Sequence, residues 1–334
     1  MRSAFRIAAV VSACALALAG CSSDDSSDDS SDAGSATAGS VAAGGTGGSD
    51  VTIAVVTHGD GGSFWSVAKK GAADAAKAAG VTLDYQESNN DPQKQAQLIE
   101  AEVAKGVQGL AVSAPNPDAI KDALAKATAA GIPIITLNSG ADQYKELGAL
   151  THVGQTEDVA GAGAGERLKA EGAKKLLCVI HEQSNIGLQQ RCSGAKSTFG
   201  AVEDFQVTGT ADVSKTQNEI ASKLQADTSI DAVLALNPDI AVAAEDAVKT
   251  AGSAAKVATF DLSGDVVKDI EAGTIDFAVD QQQYLQGYLP VIMLKLYVTN
   301  ANTVGGGLPV LTGPGFVTKE NAATVEKLAA AGTR

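Results

Sequence analysis

A succession of short apolar runs in this chain each stops at a polar residue, and these stops are where chemistry could be done: His58, Ser113, Asn138, His181 with Glu182, Asn237, Asp261 and Gln281. Imidazole, hydroxyl, amide and carboxylate groups together suit a polyhydroxylated molecule. Each of its OH groups both donates and accepts, and one left buried and unpaired costs about 1–3 kcal/mol. Taken singly, Ser113, Asn138 and Asn237 read rather as helix caps or polar loop residues; the series as a whole carries the inference. Arg191, within SNIGLQQRCSGAK, falls in the early turns of a helix pointing back toward Glu182. Its guanidinium could donate several hydrogen bonds to hydroxyls, and a surface salt bridge is an equal alternative. The stretch HGDGGSFW, His58 to Trp65, holds the chain's single tryptophan beside Phe64. Its glycines lack the lysine and spacing of a phosphate loop and the third glycine of a dinucleotide fingerprint, which favours an aromatic platform over a phosphate cradle.

Catalytic frames are missing from the sequence: there is no G-x-S-x-G elbow, no HExxH and no recognisable pair of catalytic carboxylates. His58 and His152 are far apart without i, i+4 spacing, so neither a metal nor a cofactor is expected, and His152 reads as structural.

The elements that must position these residues alternate from Val51 onward. VTIAVV, VTLDYQ and GLAVSA read as strands, separated by alanine-rich stretches of helical period that close at Gly80, Gly106 and Gly131. Fully apolar strands between helices predict parallel sheets covered on both faces, an α/β class. An internal echo follows. Residues 109–142 and 232–265 share the order of strand, Pro-Asp helix start, helix, strand and closing Ser-Gly, which predicts two similar Rossmann-like lobes. The expected division is 51–155 plus 282–311 for one lobe and 156–281 plus 312–334 for the other. Crossings near Gln155, Gln281 and Leu311 would form a three-strand hinge, and YLQGYLPVIMLKLYVTN would return to the first lobe.

Residues 1–20 have a positive start at Arg2 and Arg6, an apolar run from Ile7 to Leu18 and small residues before Cys21. That is the pattern of an export signal, too short for a spanning helix of ~20 residues. LAGC resembles the lipobox of bacterial lipoproteins, in which cleavage precedes the cysteine and Cys21 receives lipid. Residues 21–50, rich in Ser, Asp and Gly, have almost nothing to bury and read as a flexible tether. Losing Arg2 and Arg6 takes the formal net charge from -14 to -16. So acidic a surface disfavours nucleic acid and lipid headgroups as partners, leaving the lipid anchor as the membrane link. Cys178 and Cys192 remain in the exported part, where a disulfide is favoured over a metal site and two buried free thiols stay open as the alternative.

The chain from Val51 to about Lys319 resembles the sugar-specific substrate-binding proteins of bacterial ABC importers, the ribose-, galactose-, arabinose- and inositol-binding group of the type I periplasmic binding proteins. VTIAVVTHGDGGSFWSVAKKGAADAAKAAG, GLAVSAPNPDAI, GIPIITLNSG, AVLALNPDIAVAA, VATFDLSGDVVKDIEAGTIDFAVDQ and QGY follow in that family's order. The resemblance implies that Phe64 and Trp65 cover one face of a sugar. It further implies that Ser113, Arg191, Asn237, Asp261 and Gln281 bind ligand, that Gln155 is a pocket residue at the first hinge crossing, and that Glu182 lies on a pocket-lining turn. Asn138-Ser139 stands where many pentose and hexose binders carry Asp-Arg, and Gly62-Ser63 replaces the usual Asn-Pro. Those departures, with His58 and Glu182 as replacement polarity, suggest a ligand other than the commonest pyranoses, such as a sugar alcohol. The expected function is a monomeric extracytoplasmic lipoprotein, anchored outside the cytoplasmic membrane, that hands a neutral sugar or polyol to an ABC permease and its ATPase. A sugar-sensing receptor module is the alternative; a glycoside hydrolase and a LacI-type repressor are disfavoured, the latter by the export signal.

Overall fold

The computed structural model describes residues 51–334; the export segment, Cys21 and the tether lie outside the described residues. The first sheet contains β1 (Thr52–Thr57), β2 (Thr82–Glu87), β3 (Gly109–Ser113), β4 (Ile134–Asn138), β5 (Thr151–Gly154) and the late β11 (Val310–Leu311), in the order β11-β5-β4-β3-β1-β2. All its pairs are parallel. The second contains β6 (Leu176–Ile180), β7 (Val202–Gln206), β8 (Ala232–Ala235), β9 (Lys256–Phe260), β10 (Phe277–Asp280) and β12 (Gly315–Thr318), in the order β12-β10-β9-β8-β6-β7. The two orders are the same, which is the structural form of the sequence echo. One strand departs from the expectation of parallel sheets, because β12 runs antiparallel to β10. Like β5, its parallel neighbour β11 ends at the crossing between the lobes, and only residues 312–314 follow before β12, so the chain enters the second sheet from the end at which β10 leaves it and runs the opposite way.

Why these segments become buried strands is visible in β1. Ile53 and Val55 join one core cluster, Ala54 and Val56 the cluster on the opposite face, so a run apolar at every position satisfies both faces of a covered sheet. The covering helices of the first lobe are α1 (Ser63–Ala79), α2 (Pro92–Lys105), α3 (Pro117–Ala129) and α9 (Gln283–Asn300). The side chain of Asp91 caps α2 through Gln93 N and Lys94 N, and Gly80 and Gly106 end α1 and α2 in the left-handed region that glycine tolerates. As predicted, α9 returns to the first lobe, lying against α1, β3 and β4. The second lobe has α4 (Glu157–Ala170), α5 (Ile186–Phe199), α6 (Val213–Ala226), α7 (Pro238–Ala251), α8 (Gly264–Ala272) and α10 (Ala322–Ala330).

Two features of the second lobe matter for the site. The helices α4 and α5 meet backbone to backbone: a Cβ added at Gly161 would lie 2.0 Å from the Arg191 carbonyl oxygen, and one at Gly194 would lie 2.1 Å from that of Asp158. Cys178 of β6 and Cys192 of α5 are joined in a disulfide with Cα atoms 5.8 Å apart, which resolves the two readings left by the sequence and ties α5 to its sheet.

The chain passes between the sheets three times, after β5, after β10 and between β11 and β12. These passages bond to one another. Thr312 N donates to Gly154 O (2.7 Å), and Gln286 Nε2 donates to Gln281 Oε1 (2.8 Å) and Thr312 Oγ1 (3.2 Å). Among the described residues no helix is long and apolar enough to cross a membrane.

Candidate functional site

The carboxyl ends of both sheets face a common cleft. Lining one tightly enclosed cavity there are His58, Phe64, Trp65, Asn138, Glu182, Arg191, Asn237, Asp261 and Gln281. Two stretches of the first lobe and four of the second thus meet at one point, gathered within each lobe by strand order and brought together by the facing of the two lobes.

His58 follows β1 directly. Its backbone N–H donates to Ser113 Oγ (2.9 Å), the same oxygen lies 2.7 Å from its Nδ1, and its Nε2 lies 3.6 Å from Glu182 Oε2 across the cleft. Burial pushes its pKa down to about 3, a shift opposed by Asp60 and reinforced by Arg191, so the ring is neutral and offers one donor and one acceptor. Trp65, in the first turn of α1, meets His58 edge-on at 4.7 Å and Phe64 edge-on at 4.9 Å. The three rings form a wall with an apolar face and a polar corner.

Opposite stands Arg191, 4% exposed. Its Nε donates to Glu157 Oε2 (2.6 Å), Nη2 to Glu157 Oε1 (3.0 Å) and Nη1 to Leu236 O (3.2 Å), while its Cζ sits 4.4 Å from the centre of the Phe260 ring. The surface salt bridge left open by the sequence is therefore a buried, two-pronged one. Such a pair holds the guanidinium in one plane at the cavity wall. The glycines of α4 and α5 are what permit it, since Glu157 begins one helix and Arg191 sits in the middle of the other.

Asp261, just past β9 with φ 71, accepts from Gln281 Nε2 (2.8 Å) and lies 3.9 Å from Arg191 Nη1. Burial raises its pKa to about 7 against the opposing pull of Arg191 and the Gln281 bond. Asn138 and Gln282 share its left-handed backbone, at φ 60 and 56. Side chains held in that region beside a cleft are the kind of local strain that functional sites carry. Asn138 Nδ2 donates to Gln286 Oε1 (3.3 Å). Asn237 does cap a helix, as its lone reading suggested: its Oδ1 accepts from Asp239 N (2.8 Å) at the start of α7, and the residue lines the cavity as well.

Two expected positions lie elsewhere. Ser113 sits behind His58, with its carbonyl taken by Gln95 Nε2 (2.7 Å), so it positions the imidazole instead of lining the cavity. Its approach to His58 has the look of a nucleophile–base pair, but the hydroxyl is shut away from the cleft. Gln155 is fully buried at the first crossing and donates to Glu157 Oε2 (2.8 Å), supporting the carboxylate that holds Arg191. Asn185, Leu188 and Leu236 line the cavity beside His181 without an earlier sequence signal for a site, and Glu157, which holds Arg191, had none either. His181 stood in the series of strand ends, and Asn185 has the helix-cap spacing before IGLQQRC; its Oδ1 accepts from Gly187 N (2.9 Å). The two leucines gave no signal beyond being apolar.

The lobes are closed on each other. Ser63 donates through N (3.2 Å) and through its hydroxyl to Asp239, Thr210 Oγ1 donates to Asp60 Oδ2 (2.5 Å), Ile186 N to Pro115 O (3.0 Å) and Gln190 Nε2 to Asp142 Oδ2 (2.7 Å). The cavity they enclose measures about 30 Å³, the room of about one water molecule. A sugar ring needs more room than that, so the lobes stand farther apart than here both when one enters and when one is held.

Two hinged α/β lobes closing over a buried cavity with an aromatic wall and hydrogen-bonding edges define a solute-binding protein. The periplasmic binding protein domain family matches the chain over residues 53–302, and the chain belongs to that family. The xylose/arabinose-binding protein of Sulfolobus acidocaldarius is 28% identical over 240 residues, covering 67% of this chain and 60% of that protein, so this chain spans rather less than two thirds of its length. The ribose import binding protein of Haemophilus influenzae is 28% identical over 240 residues, covering 69% and 79%. Among solved structures, a carbohydrate transporter protein from Acidothermus cellulolyticus in complex with myo-inositol is 46% identical with a TM-score of 0.84, covering 86% of this chain and all of that one. These relatives are solute-binding proteins of transporters and not enzymes.

Proposed function

We propose that this protein captures a neutral sugar or sugar alcohol between its lobes and delivers it to an ABC permease, with a cyclic polyol of the inositol type as the first ligand to test. One observation carries the reading: neutral imidazole, guanidinium, carboxylate and amide groups converge with Phe64 and Trp65 on a single enclosed cavity. A polyol ring has an apolar face for the aromatic wall and hydroxyl edges for the polar groups. In this reading His58, Phe64, Trp65, Asn138, Glu182, Arg191, Asn237, Asp261 and Gln281 contact ligand, and Ser113 and Gln155 hold His58 and Glu157 in place. The myo-inositol bound by the Acidothermus protein supports the choice of ring.

The lobes are taken as 51–155 with 282–311 and 156–281 with 312–334, turning about the three crossings. Contacts to both lobes exist together only in the closed state, so ligand shifts the open–closed balance by its differential affinity and presents a closed surface to the permease. Lipidated Cys21 would keep the protein at the outer face of the cytoplasmic membrane, with 21–50 as the tether. The test is a thermal-shift screen of inositols, alditols and aldoses followed by calorimetric titration. A tight ligand at a hundred times its Kd raises stability by about 2.7 kcal/mol. No shift with any of these compounds overturns the reading, and so does a Trp65→Ala variant that binds its ligand as tightly as the parent.

A further inference from the structure

Closure seals the inner cavity but leaves a second space open beside it. This outer chamber measures about 610 Å³ and shares His181 and Glu182 with the inner cavity as a common wall. Asp60 and Asn90 of the first lobe and Thr210 and Asp239 of the second complete its sides, so it too lies between the lobes. Its size is that of a pocket for an organic ligand, not of a surface dimple.

The shared wall is polar and incompletely satisfied. His181 is 9% exposed, and among the described residues its Nδ1 finds no hydrogen-bond partner. Its Nε2 lies 3.9 Å from Glu182 Oε1, beyond bonding distance. A buried imidazole nitrogen left unpaired is costly, but Nδ1 is closed off from the chamber, so the polar groups that line it for a ligand are the carboxylates, amides and hydroxyls of Asp60, Asn90, Glu182, Thr210 and Asp239. The charge of the chamber narrows the choice further. It is lined by the carboxylates of Asp60, Glu182 and Asp239 and by no lysine or arginine. Such a wall accepts hydrogen bonds from hydroxyls and repels phosphate or carboxylate substituents.

We propose that the outer chamber is a second subsite for a neutral glycosyl substituent, so that the protein binds glycosides of its ring ligand with one ring in the inner cavity and the other in the outer chamber. The proposal rests on the sugar-class reading above and extends it from single rings to disaccharide-sized ligands. The link between the two rings passes His181 and Glu182.

Calorimetric titration of the purified protein with two matched pairs tests it: myo-inositol against galactosyl-myo-inositol, and D-glucose against maltose, with myo-inositol phosphate as the anionic control. For at least one pair the glycoside is expected to bind as tightly as its free ring or more tightly, and the phosphate at least a hundredfold more weakly. Ala211, exposed on the outer-chamber wall, provides the second arm. Ala211→Trp is expected to weaken the glycoside tenfold or more and to leave the free ring unchanged. A free ring that binds while its glycoside is a hundredfold weaker overturns the subsite and leaves the sugar-class reading standing. A glycoside untouched by Ala211→Trp, or a phosphate that binds as well as the free ring, also overturns it. Failure of every ring and glycoside to bind removes the sugar-class reading and the subsite with it.

Discussion

Replacing Glu157 by glutamine tests the electrostatic logic of the site most directly. Glu157 is 3% exposed and Arg191 4%, and the two share bonds of 2.6 and 3.0 Å. Removing one member of a buried pair while leaving the other charge behind destabilises a protein by about 3–5 kcal/mol. Here the lower end applies, because Asp261 lies 3.9 Å from Arg191 Nη1 and can ionise to take over part of the role. For the 284 residues from 51 to 334, an unfolding entropy of about 2.1 cal/mol/K per residue makes a loss of about 3 kcal/mol equal to roughly 5 °C in Tm. A second signature follows from the same geometry. Glu157 is one of the charges that help burial hold the Asp261 pKa up near 7, so in Glu157→Gln that pKa falls. A carboxyl raised in the folded state contributes stability that is complete below its unfolded pKa and lost as pH rises through 7; the variant should therefore lose less stability than the parent between pH 5 and 8. Differential scanning calorimetry across that range reads both effects. The double variant Glu157→Met with Arg191→Met should melt above Glu157→Gln, since it leaves no buried charge unpaired. A single variant within 1 °C of the parent, or a double variant no more stable than the single, refutes the account of this pair.

Gly161→Ala sets a helix-propensity gain of about 1 kcal/mol against a Cβ 2.0 Å from the Arg191 carbonyl. Overpacking of about 1–3 kcal/mol should win, lowering Tm and, by shifting α5, weakening ligand binding in titrations; a stabilised variant would show that α4 and α5 have slack. Removing the disulfide as Cys178→Ala with Cys192→Ala frees a loop closed at a separation of 14 residues and should cost about 3 kcal/mol on the chain-entropy model, read as a Tm loss against the oxidised parent. The buried His58, held at about 3, contributes stability that is present above the ordinary histidine pKa and lost as pH falls from 6.5 toward 3. At pH 5.5 the unfolded chain gains about 1.4 kcal/mol by taking the proton. Thermal melts in an Asp261→Asn background, which removes the opposing carboxyl, should fall between pH 8 and 5.5 by less when His58→Asn is added. Equal falls with and without His58 would show that its burial carries no linkage.

Much of the site was legible because parallel α/β sheets put function at one end of their strands. In apolar parallel strands His58 and Asn138 gather at the carboxyl edge of one sheet and Glu182, Asn237, Asp261 and Gln281 at that of the other. Phe64 and Trp65 were found by their rarity and by the turn that precedes them. The strand-end pattern does not say which of its polar residues turns toward the cleft. Ser113 and Gln155 are strand-end polar residues too, but one side of a strand end faces the cleft and the other faces the helices behind it.

By itself, then, the sequence determined the periods of strand and helix, the repeated order that gives two lobes, the return of α9 and the set of polar groups available to a ligand, because these depend on neighbours a few residues apart. Tertiary structure alone decided the partner of Arg191, the orphaned nitrogen of His181, the bonds between Ser63 and Asp239 that hold the lobes shut, and the chamber that stays open outside the sealed cavity. Each of these depends on the distance between helices and between lobes. A backbone approach of 2.0 Å to an imagined Cβ at Gly161 is a property of how two surfaces fit, and no single stretch of residues encodes it.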